Sequence, residues 1–276
     1  SGVVADSRPS ISGTLEADSF APRELLDLLD IEIVTADPYV LSLMDLRADW
    51  AFRGDRVGLS SLVMRIDDSQ LSGELGLGSI EKEQILFDLS IDAINLDRYL
   101  EPTAEESAGG DAAAAGGTAA AEEELFPVDT LRELNAQGRF RIGEMVVSGL
   151  VMSDFTMNLT ADGGLLRLNP LTATMYQGSY SGDIRLDVRG TQPKLSLNEN
   201  LSNLQIGGLL LDAQDLQNVE GLFTTGITAT STGNTEAAVI AGLNGNLAFN
   251  LTDGLYRGRD FWYEVRRQKA LIKGEP

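Results

Sequence analysis

The feature that most constrains the fold of this chain is an alternation of apolar and polar residues that recurs along most of its length. In residues 87–92, Phe87, Leu89 and Ile91 alternate with two aspartates and a serine. Successive side chains of a β-strand point to opposite faces of a sheet, so this period of two predicts strands with one apolar and one solvated face. Counting the weaker segments, we expect about ten to twelve strands.

Turns that contain glycine separate the alternating segments, for example at Gly54, Gly163 and Gly245. Turns of this kind join antiparallel neighbours in hairpins, so we expect most neighbouring strands to be antiparallel. Only a few short helices are expected, two of which begin at a proline and carry leucine at helical spacing. The candidate helices are residues 22–29, 127–134, 207–217 and 262–272.

The two halves of the sequence repeat one another. Four anchor residues of the first half have counterparts 109 positions later, namely Leu59 with Leu168, Leu62 with Leu171, Gly73 with Gly182 and Leu75 with Ile184. Hairpins with this spacing also align by chance, but several anchors keep one offset, which favours a true repeat. Repeated meander units typically stack into one extended sheet.

An Ala, Gly and Glu-rich tract divides these halves. Residues 101–124 show no apolar periodicity and predict a flexible, charged linker. We therefore predict a first β-rich repeat unit in residues 1–100 and a second in residues 125–260. Residues 261–276 are predicted to form a C-terminal helix or tail.

Periodicity alone is compatible with a closed sandwich or barrel with a dry core. The predicted helices are too few and too short to cover so many strands, which favours an open sheet. The predicted fold class is therefore mainly β: an elongated, curved antiparallel sheet, gutter-like or taco-like, of repeated meander units with a few short helices.

The composition excludes several classes of function. The formal charge is −21, from 42 acidic and 21 basic residues, which argues against nucleic-acid binding through a basic patch. Histidine and cysteine are both absent, so catalytic triads and zinc sites built on these residues cannot form. Acidic pairs such as Asp67 and Asp68 fit turns better than catalysis. We predict that the protein is not an enzyme and has no cofactor and no metal site.

The apolar sides of the strands are the remaining candidate site. If the strands form one layer, this side must be covered by a second sheet, by helices, by a partner or by a lipid. The candidate lipid-facing residues are Ile85, Phe87, Leu89, Ile91, Phe155, Met157, Leu159, Leu166, Leu168, Ile184, Leu186, Val188, Leu247, Phe249 and Leu251.

Several longer segments resemble the C-terminal region of the AsmA family. The resemblance is carried by FPVDTLRELNAQG in residues 126–138, LNPLTA in residues 168–173 and YQGSYSG in residues 176–182. The first half is similar through SGTL in residues 12–15 and LDRYL in residues 96–100. The resemblance covers most of the chain outside the linker.

This resemblance implies a periplasmic part of a bacterial inner-membrane protein, anchored by an N-terminal helix that this sequence does not contain. It implies binding of phospholipid or other acyl chains in an apolar groove, and a role in phospholipid transport and outer-membrane biogenesis. Envelope proteins are possible further partners. The alternative is a non-enzymatic structural or regulatory scaffold that binds envelope proteins through its sheet edges.

Overall fold

The computed structural model describes residues 10–101 and 124–257, which form one sheet of twelve strands. The order of the strands in the sheet is their order in the chain, and the two edge strands do not pair with each other. The prediction of a mainly β, open and curved meander sheet is confirmed. The strands are β1 (Ser10–Phe20), β2 (Met44–Arg53), β3 (Arg56–Ile66), β4 (Ser69–Ser79), β5 (Gln84–Asn95), β6 (Ala136–Val147), β7 (Leu150–Asp162), β8 (Leu165–Met175), β9 (Gly178–Asp187), β10 (Lys194–Gln205), β11 (Val219–Thr232) and β12 (Asn244–Tyr256).

The two halves meet at a parallel pair of strands, an exception to the antiparallel pairing that was expected of most neighbours and that the other pairs of the sheet confirm. β5 pairs with β6 in parallel, whereas every other neighbouring pair is antiparallel. A parallel pair needs a long connection from the end of one strand to the start of the next. The chain between β5 and β6 is long enough to provide this connection. A hairpin turn, in contrast, joins two strands that run antiparallel. The halves nevertheless form one continuous sheet.

Short helices lie at the ends of the strands. They are α1 (Pro22–Leu28), the 3₁₀ helix η1 (Leu96–Arg98), α2 (Val128–Glu133), α3 (Ile206–Gln214) and α4 (Glu236–Ala241). The sequence predicted α1, α2 and α3 but not α4, which Thr235 caps by accepting a hydrogen bond from the Ala238 N–H. This helix joins β11 to β12, so Gly245 lies within β12 and the turn predicted there is wrong. The predicted helix at 262–272, the tail and almost all of the linker lie outside the described residues.

The repeat is visible in matching irregularities of the two halves. The pairing of β3 with β4 shifts between Leu59 and Leu62, and the pairing of β8 with β9 shifts between Leu168 and Leu171. These positions are the anchors of the sequence repeat. In the first half the shift contains Ser61 at a φ of 52°, whereas in the second half it contains the cis peptide before Pro170.

These irregularities explain why the sheet curves. A bulge bends its strand and increases the local twist. Leu62 is only 6% exposed, although no helix of the described part of the chain packs extensively on β3. Side chains on the inside of a curved sheet crowd against one another, so the face that carries Leu62 is the concave one.

The Asp67 carboxylate forms hydrogen bonds with the loops at the end of the sheet where η1 lies. Asp67, in the turn between β3 and β4, accepts hydrogen bonds from the backbone N–H groups of Leu41 (2.7 Å), Ser42 (2.9 Å) and Leu43 (3.2 Å). It also accepts one from the Tyr99 hydroxyl at 2.9 Å. Partial burial raises the pKa of Asp67, but these hydrogen bonds outweigh it and hold the pKa below its ordinary value.

A second group of charges fastens the same end. The Arg98 guanidinium donates from Nε to Asp37 and from Nη1 to Asp68, both at 2.8 Å. Asp97 accepts a hydrogen bond of 2.8 Å from the Gly149 N–H in the turn between β6 and β7. The segment after β5 is therefore held against both halves of the sheet.

We expect Asp67→Ala to lower the free energy of unfolding by about 2–3 kcal/mol, because several donors lose an acceptor at once. Urea unfolding measures the change. Asp129→Ala is the matched control, since that carboxylate is 97% exposed in its ion pair with Arg132 and should cost less than about 0.5 kcal/mol. Equal changes in the free energy of unfolding for the two substitutions would show that the Asp67 hydrogen bonds do not stabilise the protein.

Ionisation of Tyr99 is expected to lower the stability of the protein at alkaline pH. Burial and the hydrogen bond to Asp67 raise the pKa of Tyr99 from 10.0 to about 12. The folded state holds the hydroxyl proton more tightly than the unfolded chain does. The contribution of Tyr99 to the free energy of unfolding is therefore complete below the pKa of the unfolded state, and it is lost as pH rises through the pKa of the folded state. Between pH 10 and 12, wild type should lose more stability than Tyr99→Phe in urea titrations at each pH. Parallel losses would contradict this assignment.

Candidate functional site

One face of the sheet is apolar across all of its strands. Residues that pair across neighbouring strands point to the same face. Ile85, Phe87 and Leu89 pair with Leu77, Leu75 and Gly73 of β4 on one side, and with Ala136, Gly138 and Phe140 of β6 on the other. We call the side that carries these residues, and the residues that pair onward from them, the apolar face.

The pairing places the candidate residues of five strands on this face. From β6 the register continues through Phe155, Met157 and Leu159 of β7, Leu166 and Leu168 of β8, and Ile184 and Leu186 of β9. β10 and β11 then connect β9 to Leu247, Phe249 and Leu251 of β12. Residues far apart in sequence thus share one surface. Contact of this surface with lipid stays a prediction.

Two candidate residues are buried in the protein itself. Leu186 is 9% exposed, and Val188, which follows the end of β9, is 0% exposed. The Val188 carbonyl accepts a hydrogen bond from Arg132 of α2 at 2.9 Å. α2 therefore anchors this end of the second half, and Val188 offers no surface to a ligand.

The apolar face is larger than the sequence predicted. The additional residues include Trp50, Phe52, Val57, Leu59, Leu62, Leu75, Leu77, Phe140, Ile142, Leu195, Leu197 and Ile227. Bulges interrupt the period of two in several strands, as between Leu59 and Leu62. The signal available in the sequence was the three-residue spacing of apolar residues around a polar pair, which marks such a bulge.

The opposite face is polar, and several of its charges pair across strands. Arg65 lies opposite Asp45 in the register, with 3.7 Å between their charged atoms. Arg167 and Asp183 form a similar pair at 2.5 Å, and the guanidinium holds the pKa of Asp183 below its ordinary value. Exposed ion pairs contribute at most about 1 kcal/mol each. Their main effect is to keep this face in water and so fix which side is apolar.

A shallow depression lies on the apolar face of the first half. It has a volume of about 300 Å³ and is lined by Val57, Leu59, Leu75, Leu77 and Ile85, with backbone of Gly58 and Gly76. No polar side chain lines it. This volume is at the lower end of the range for small-molecule sites, roughly 300–1,000 Å³.

The last strand leaves its apolar side chains open. Leu247 is 65% exposed and Phe249 is 71% exposed. At the other edge, Ile11 of β1 is 59% exposed. Large exposed apolar surfaces mark sites for ligands, membranes or other proteins.

Within residues 10–101 and 124–257, no group of three or more acidic side chains is arranged to hold a metal ion. No helix there is long and apolar enough to cross a membrane.

Fold and face together define an open, single-sheet β protein with a continuous apolar side. The model of the AsmA family matches residues 7–270. The chain belongs to the AsmA family. Comparisons with curated proteins and with solved structures find no match.

Gly138 tests the junction between the halves on this face. A Cβ atom at Gly138 would overlap the Phe87 carbonyl oxygen and ring. We expect Gly138→Ala to lower the free energy of unfolding by about 1–3 kcal/mol in urea titrations. In Gly190→Ala the nearest atom is 3.7 Å from the new Cβ, so the change should stay within about 0.5 kcal/mol. A neutral Gly138→Ala would mean that β5 and β6 are less closely packed.

Proposed function

We propose that this protein binds lipid acyl chains on its apolar face and supports phospholipid transport and outer-membrane biogenesis. Membership of the AsmA family supports this proposal. The observation that carries it is the continuous apolar face, which crosses the whole sheet and has no second layer over it in the described part of the chain. The function is non-catalytic.

Hydrocarbon chains are suitable ligands for such a face. Each methylene group that leaves water for an apolar surface contributes roughly 0.8 kcal/mol. The aliphatic side chains of successive strands offer many positions of similar affinity. An acyl chain that moves from one strand to the next therefore exchanges equivalent contacts, which keeps the barrier to movement low.

The polar face and the acidic charge suit an aqueous compartment on the outer side of the sheet. The family resemblance suggests that this compartment is the periplasm, with the full-length protein anchored in the inner membrane by an N-terminal helix. The proposed partners are therefore phospholipid, the inner membrane and envelope proteins.

The open edges favour a second candidate function. β1 and β12 each have one side without a partner strand among the described residues, and β12 exposes apolar side chains. Unpaired edges bind extended peptide segments by adding a strand. In this alternative the protein is a structural or regulatory scaffold for envelope proteins.

A matched pair of leucines tests lipid binding. Leu75 is 38% exposed on the apolar face, and Leu86 is 39% exposed on the polar face of the neighbouring strand. Leu75→Glu places a charge where an acyl chain would lie and should reduce co-purifying lipid several-fold, as measured by lipid extraction and native mass spectrometry. Leu86→Glu adds the same charge on the other side and should leave lipid content unchanged.

Two outcomes would contradict the proposal. One is a wild-type protein that stays free of lipid after exposure to phospholipid vesicles, which supports the scaffold function instead. The other is an equal loss of lipid in both variants. That result would mean that added charge, and not the apolar face, controls binding.

A further inference from the structure

One carboxylate interrupts the apolar face near the middle of β10. Glu199 pairs with Gly182 of β9 and with Ile227 of β11, so its side chain lies on the apolar face. The nearest positions of the same face along β10 are Leu197 and Leu201. An acidic side chain among aliphatic neighbours is unfavourable unless its oxygens have hydrogen-bond donors.

Only one of its two carboxylate oxygens has a donor. The Tyr180 hydroxyl donates to Oε2 of Glu199 at 2.5 Å. Oε1 is buried and has no hydrogen-bond partner. Asp67, by contrast, accepts hydrogen bonds with both of its oxygens, from Leu41 and from Ser42. Glu199 therefore keeps an unused acceptor on this face.

The adjacent glycine makes room for the carboxylate. A Cβ atom at Gly182 would overlap Oε2 of Glu199 and lie 2.6 Å from the Tyr180 hydroxyl oxygen. Burial and the hydrogen bond to Glu199 both raise the pKa of Tyr180, so its hydroxyl keeps its proton. Three residues on two strands thus form one built polar position.

The repeat indicates that the fold does not require this polar position. Gly73 of the first half corresponds to Gly182, and the residue that pairs with Gly73 is Leu89. Leu89 therefore occupies the place of Glu199. By the same register, Leu71 occupies the place of Tyr180. The first half therefore has two leucines at the positions that a tyrosine and a glutamate occupy in the second half.

We propose that Glu199 and Tyr180 form a binding position for the cationic head group of an amine-bearing phospholipid. An ammonium group carries the donors that a carboxylate accepts, and a charged hydrogen bond is stronger than a neutral one. This inference rests on the proposed function and adds a preference among lipids to it.

The test uses vesicles with equal amounts of phosphatidylethanolamine, which carries an ammonium group, and phosphatidylglycerol, which does not. The full chain is incubated with the vesicles and separated from them, and its bound lipid is identified by mass spectrometry. Wild type should be enriched about tenfold in phosphatidylethanolamine, which is the effect of one charged hydrogen bond. Glu199→Leu should bind the same total lipid without this enrichment.

Three further variants separate the contributions. Tyr180→Phe keeps the carboxylate but removes a donor and should show a smaller enrichment than wild type. Gly182→Ala displaces the carboxylate without changing it and should also reduce the enrichment. Asp88→Asn removes a carboxylate from the polar face and should leave it unchanged. Because Leu89 occupies the equivalent place, Glu199→Leu should retain the folded state in thermal unfolding.

The outcomes distinguish this inference from the proposed function. If wild type binds both lipids equally, or if Glu199→Leu keeps the enrichment, the inference is overturned and lipid binding stands. If wild type binds neither lipid, the proposed function fails and this inference fails with it. Enrichment that is lost in Glu199→Leu and kept in Asp88→Asn supports the binding position.

Discussion

The structure depends on keeping most apolar side chains on the same side of a sheet whose strands bend. A shift of one residue would turn all the following side chains of a strand to the opposite face. Where the pairing shifts, as between Leu59 and Leu62 or between Leu168 and Leu171, the apolar residues resume on the original face after the shift. The same irregularities therefore accompany the curvature and keep the apolar residues of both halves on one face.

Within residues 10–101 and 124–257, no second layer covers this face as the second sheet of a sandwich would. The described helices are short and lie at the strand ends, where Asp67, Arg98 and Arg132 fasten them or their loops to the sheet. These polar contacts stabilise the ends without covering the middle. The apolar face is uncovered in the described part of the chain, and our proposal of lipid binding rests on this observation.

The two halves of the repeat share one backbone arrangement but differ in polarity at one position of the apolar face. The halves share bulges, turns and register, and they join through the parallel pair of β5 and β6. Within this common frame, Leu89 and Glu199 occupy equivalent places but differ completely in polarity. A duplicated unit can keep its fold in this way while one copy acquires a polar position.

The sequence by itself determined the local features. Alternation of apolar and polar residues indicated most of the strands, glycine turns indicated hairpins, prolines marked the starts of α1 and α2, and the offset of 109 positions indicated the repeat. These signals are local because each depends on neighbouring residues along the chain. The missed helix α4 (EAAVIA) has neither a proline at its start nor leucine at helical spacing, the two signals that marked α1 and α2.

Only the tertiary structure decided which distant residues share a surface. The parallel pairing of β5 with β6 depends on where a long connection returns, and no local pattern encodes that. The hydrogen bond from Arg132 to the Val188 carbonyl joins α2 to a residue that lies far from it in sequence. The place of Glu199 on the apolar face follows from its pairing with Gly182 and Ile227. The register between strands is a property of the assembled sheet. It is set by hydrogen bonds between separate segments, and the alternation within each segment does not determine how two segments align.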